Sequence, residues 1–139
     1  MTGADNRFVS PRDVETLSFE WGTKWLSSPR SNGAQRMAVG ISVLEPGRGH
    51  LRHNPPGSDE TVYVLSGVGR QVVEDETGQP TYREVVAGDV DHVPEGVFHA
   101  SENVGWERLL VTYAPAGPEE VLRDLPGCTI IPPASTPER

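Results

Sequence analysis

The sequence predicts an all-β fold, a sandwich or barrel built as one domain. Three observations carry that expectation. Short apolar segments alternate with a period of two, the signature of half-buried strands. Turn residues interrupt those segments roughly every 8 to 12 positions, the spacing of sandwiches and barrels. Fifteen Gly and 13 Pro among 139 residues supply the turns, and a chain of this length is one domain's worth of protein.

The elements follow in order. Residues 1–20 are polar with scattered apolar residues (Phe8, Val14, Leu17, Phe19), consistent with one strand. Arg36 to Leu44 sets Met37, Val39, Ile41 and Val43 on one face, and Pro46-Gly47 closes it. Thr61–Leu65 and Val68–Glu74 read as strands parted by Ser66-Gly67. Asp75 to Pro80 reads as a hairpin loop, with Thr81 to Ala87 returning as partner. Val90–Val93 and Arg108–Tyr113 complete the set, and together these strands form a barrel core over about residues 20–115. One helix is expected over 118–125: Pro118 opens it, Glu119 and Glu120 fill its first turn, and Pro126-Gly127 ends it. Residues 126–139 carry four prolines and are expected to lie extended or mobile.

Composition narrows the function. Twenty acidic against 12 basic residues give a net charge of -8, which leaves no basic surface for nucleic acid. No apolar run has membrane-spanning length and the polar N-terminus has no secretory pattern, so a soluble cytoplasmic chain is expected. The single cysteine, Cys128, excludes an internal disulfide and a cysteine zinc cluster, and is read as inert.

All four histidines, His50, His53, His92 and His99, fall in one stretch of the chain, with Glu60 between the two pairs. Imidazole is the commonest protein ligand for first-row divalent ions. The spacing is specific. Gly88, five residues, Pro94-x-Gly96, two residues, His99, three residues and Asn103 match every position of one cupin motif. Gly47, His53, Glu60 and Gly67 fit the other, where Pro55 replaces its second histidine. The chain thus resembles the small single-domain cupins, and the resemblance implies a jelly-roll barrel, or double-stranded β-helix, with a short C-terminal helix.

Two metal sets compete. The resemblance carries over His53, Glu60 and His99, with Pro55 unable to coordinate. The other set takes His50, His53, His92 and His99 as ligands and leaves Glu60 as an outer acceptor or base. The four-imidazole set is preferred because it uses every histidine and frees a carboxylate for chemistry. It places His92 inside through Val90, two residues earlier, which as a core valine should face inward. Strict alternation opposes His50 and His53 sharing a face, but the chain is still turning near His50.

A divalent ion in such a shell, zinc first with iron or manganese as alternatives, can polarise a carbonyl or stabilise an enolate. Met37, Val39, Ile41, Tyr63, Phe98 and Val111 are the expected pocket walls. Trp25-Leu-Ser-Ser-Pro29, Pro46 to Asn54 and Gly88 to Pro94 resemble the cupin cyclases of aromatic polyketide biosynthesis, of the resistomycin-pathway kind. That resemblance implies aldol closure of a poly-β-ketone, with Glu60, His53 and His99 as catalytic residues. A metal dioxygenase and a non-catalytic ligand-binding cupin are the alternatives. The partners expected are a small-molecule substrate and a second copy of the chain, paired through Phe19, Trp21 and Trp25.

Overall fold

The computed structural model describes residues 7–53, 59–105, 109–113 and 118–134. Eleven strands are described: β1 (Thr16–Ser18), β2 (Gly22–Ser27), β3 (Val39–Leu44), β4 (Gly49–His53), β5 (Glu60–Ser66), β6 (Val68–Glu74), β7 (Pro80–Val86), β8 (Val90–Val93), β9 (His99–Asn103), β10 (Leu109–Tyr113) and β11 (Thr129–Ile131). They form two antiparallel sheets, one ordered β11-β1-β2-β3-β10-β5-β8 and the other β4-β9-β6-β7. Two short helices accompany them, α1 (Pro29–Asn32) and α2 (Pro118–Arg123). This is a β-sandwich architecture, as the turn spacing predicted.

The core is made by Leu17, Trp25, Ala38, Leu44, Val62, Val64 and Val85, with Phe19, Trp21, Leu122 and Cys128 packed against it. Each fully buried Leu or Val contributes roughly 1.5–3 kcal/mol. β3 turns the opposite way from its sequence pattern. Gly40, Ser42 and Leu44 face inward, while Val39, Ile41 and Val43 are half-buried on the other face. Trp25 is the physical reason. It sits opposite Gly40 in the β2–β3 register, and a Cβ at Gly40 would lie 2.8 Å from its ring. The indole fills the space that large β3 side chains would need, so the small residues face in. Trp25 is only 3% exposed and cannot supply the expected dimer surface. Met37 and Tyr63, expected as pocket walls, are exposed. Val111 is placed by its backbone alone, in register with Ser42 and Val64.

Within the C-terminal segment, residues 129–131 lie extended, as expected, and are paired. β11 pairs with β1, Thr16 opposite Ile131 and Ser18 opposite Thr129. The helix ends at Arg123, two residues short of the expected limit. Glu119 on α2 accepts a hydrogen bond from the Ser28 hydroxyl, and that hydroxyl also caps α1 by accepting from Ser31 N–H at 3.1 Å. Arg123 donates to both oxygens of Glu15 at 3.1 Å. Burial pushes the Glu119 carboxyl up, while the Ser28 bond and Arg123 pull it back.

Candidate metal centre

The second cupin motif is first a set of turns. Gly88 and Gly96 hold φ of 94° and 76°, a region that side-chain-bearing residues avoid, and they flank β8. Asp59 Oδ1 accepts from Glu95 N–H at 2.9 Å and anchors the turn leading to β9. Asn103 closes the motif from a fully buried position. Its Nδ2 donates to Leu44 O at 2.7 Å, and its Oδ1 accepts from Gly105 N–H at 3.0 Å.

A β-bulge settles the spacing of His50 and His53. β4 pairs with β9 so that His50 lies opposite Ser101 and His53 opposite His99, with the register shifting between them. One extra residue on β4 lets positions three apart both oppose inward residues of β9. Gly49 enters that bulge against the β9 backbone, where a Cβ would lie 2.1 Å from Ser101 O. The His53 side chain lies outside the described residues, as does Pro55.

The other sheet supplies the carboxylate. Glu60 opens β5 on the same face as Val62 and Val64 and is 4% exposed. Its Oε1 lies 3.4 Å from His99 Nε2, and that oxygen is buried with no hydrogen-bond partner. His50 is buried beside them, its ring edge-on to His99 at 5.5 Å between centroids. Trp21 closes the far side, 5.7 Å from His50, and stacks on Phe19 at 4.9 Å. The structure thus brings His50, His99 and Glu60 together, with the backbone of His53 in register beside them.

His92 stands elsewhere. Val90 is 56% exposed, so the face assumed to be inward is the outer one. His92 shares that face, with Nε2 3.7 Å from Asp59 Oδ2 and Nδ1 3.5 Å from the Thr61 hydroxyl. The β5–β8 register explains this: His92 pairs with outward Thr61, whereas Asp91 pairs with buried Val62. The four-imidazole arrangement is therefore not assembled.

The β5–β8 register also brings in a residue that nothing in the sequence pattern singled out. Asp91 faces inward and accepts from Gln71 Nε2 at 3.0 Å. Gln71 Oε1 accepts in turn from the Ser101 hydroxyl, and Gln71 and Ser101 are both buried. Burial pushes the Asp91 carboxyl up, and the Gln71 bond partly offsets this.

The cupin domain profile matches residues 40–114, more than half of the chain and the whole span of the site. The chain belongs to the cupin family. Among curated cupin relatives, it is 33% identical over 95 residues to a putative glucose-6-phosphate isomerase of Rhizobium meliloti, covering 62% of this chain and 46% of that protein. It is 30% identical over 99 residues to the oxalate decarboxylase OxdC of Bacillus subtilis, covering 70% and 26%. The chain thus spans less than half the length of either relative. A structure of the Bacillus subtilis enzyme, studied for its Mn(II) centres, superposes with a TM-score of 0.64 at 26% identity, over 78% of this chain and 31% of that one. The Lactobacillus farciminis oxalate decarboxylase gives 0.70 at 23% identity over 76% and 32%, a likeness of fold.

Cupin relatives hold divalent metals, as those Mn(II) centres illustrate. Among the described residues, no group of three His, Cys, Asp or Glu side chains forms a complete metal site. The residues present nevertheless fit part of one. A buried carboxylate oxygen without a donor faces an imidazole nitrogen, and that N/O donor set suits first-row divalent ions.

Proposed function

We propose that this cupin is a metal-dependent enzyme that enolises a carbonyl substrate, intramolecular aldol closure of a poly-β-ketone being the specific reaction. One observation carries the reading: Glu60 Oε1, buried and without a hydrogen-bond partner, lies 3.4 Å from His99 Nε2. Glu60 and His99 would hold the ion, with His50 and His53 completing the shell. The reading therefore takes the three-ligand alternative, extended by His50, and excludes His92. Zinc suits this donor set and so does manganese. The bound ion supplies Lewis acidity toward the substrate's carbonyl oxygen.

The chain's own residues do the rest. Glu60 Oε2 takes the proton from the carbon beside the carbonyl. That carbon then bonds to a second carbonyl carbon of the same substrate, whose oxygen takes the proton back. Trp21, packed beside His50, would shield the site from water. The name of one curated relative, a sugar-phosphate isomerase, denotes chemistry of a related kind, a proton moved beside a carbonyl.

The test is elemental analysis of the purified chain, together with deuterium uptake into acetylacetone in D2O followed by NMR. The expected result is near-stoichiometric divalent metal and metal-dependent exchange that falls at least about tenfold in Glu60→Gln. Absence of metal in every preparation, or exchange equal in wild type and Glu60→Gln, overturns the reading. Oxygen consumption with an iron-loaded chain would point to the dioxygenase instead.

A further inference from the structure

The outer face of the larger sheet departs from the pattern of a solvated surface. An antiparallel sheet with one side in water carries apolar residues inward and polar residues outward. Here β3 turns Val39, Ile41 and Val43 outward, and β5 turns Tyr63 and Leu65 outward. Val90 on β8 is outward and exposed as well. β3, β10, β5 and β8 are neighbours in that order. Ile41 stands opposite Thr112, Thr112 opposite Tyr63, and Tyr63 opposite Val90, so one row crosses all four strands. The smaller sheet shows the contrast. On its outer side Arg70 bonds Glu102 at 2.6 Å and stands opposite Glu84.

Charge follows the same division. The chain has 20 acidic residues and a net charge of -8. No Asp or Glu occupies an outward position of β3, β5 or β8, and β10 contains none. An apolar face free of acids is where a second copy of an acidic chain can approach closely. An anionic membrane attracts basic surfaces instead, and repels this chain.

Size and shape agree with a second copy. The four strands span roughly 20 Å by 20 Å. Two such faces in contact bury on the order of 1,000 Å2, the low end for a specific pair. Tyr63, Leu65 and Val90 are exposed, whereas Val39, Ile41 and Val43 are half-buried. A two-fold axis running along the strands, between β10 and β5, sets the exposed half of each copy on the half-buried half of the other.

We propose that the outer face of β3, β10, β5 and β8 joins two copies of this chain in a two-fold dimer, packed sheet to sheet. The pairing expected through Trp25 thus moves to the opposite side of the sheet from that buried indole.

Sedimentation velocity of the full chain from about 1 to 500 μM tests the proposal, with circular dichroism checking that each variant is folded. Wild type is expected to be a dimer that dissociates on dilution in the micromolar range. Raising salt from about 50 to 500 mM should tighten it, because the copies repel and the contact is apolar. Tyr63→Glu and Val90→Glu should each weaken it at least about 100-fold. Tyr82→Glu, at an exposed position on the outer face of the smaller sheet, should leave it unchanged within about twofold. Should Tyr63→Glu misfold, Val90→Glu carries the test.

A wild type that stays monomeric throughout overturns the proposal, whatever else covers the face. So does a dimer that survives both substitutions, one that Tyr82→Glu breaks, or one that salt loosens.

Discussion

His99 Nε2 lies 3.4 Å from Glu60 Oε1, and the two side chains come from opposite sheets with 1% and 5% of their surfaces exposed. Neither strand could create that pair alone. The ion proposed to sit between them would make each side chain indispensable to metal affinity. Outer partners of metal ligands already cost 10–100-fold when removed. His99→Ala and Glu60→Gln are each expected to weaken metal binding by at least about 100-fold, read by chelator competition.

His92 provides the contrast. It stands on the outer face against Asp59, so His92→Ala should leave metal stoichiometry and affinity unchanged within about twofold. Its effect on stability should stay within about 0.5 kcal/mol in a urea titration. Metal lost with His92 would mean that β8 presents its other face to the site.

Gly49 supports the centre through the backbone. A methyl group there meets Ser101 O at 2.1 Å, which backbone atoms cannot relieve by rotating. Gly49→Ala should destabilise the chain by roughly 2–4 kcal/mol and lower metal affinity by displacing His50. Thermal unfolding and chelator competition on one preparation check both effects.

Glu119 makes the packing of α2 depend on pH. Burial holds its carboxyl above the ordinary range, so the folded chain binds a proton there more readily than the unfolded chain. That contribution to stability is complete below the ordinary carboxylate pKa and is lost as pH rises through the raised folded value. Ser28 and Arg123 moderate the shift, and Glu120 adds to it. Glu119→Gln should flatten this segment of the stability profile at pH values above the ordinary carboxylate range, read from urea midpoints.

The pattern of residues determined β3, β5 to β8 and β10, the turns and the family, because period-two alternation and glycine turns are local properties, whereas β2, β9 and β11 were not legible as strands. Gly88, Pro94, Gly96, His99 and Asn103 were legible for that reason, and so was the helix that Pro118 opens. Which face of a strand is buried is not a local property. Val90 and Ile41 are apolar yet face away from the core, since Trp25 fills the space above Gly40 and Asp91 takes the inward position beside Val62. The bulge between His50 and His53 exists only through pairing with β9. The approach of Glu60 to His99 exists only because the two sheets pack face to face. A one-residue change of parity sends a whole strand's side chains to the other face, and the packing of the second sheet, not the strand's own residues, decides which face that is.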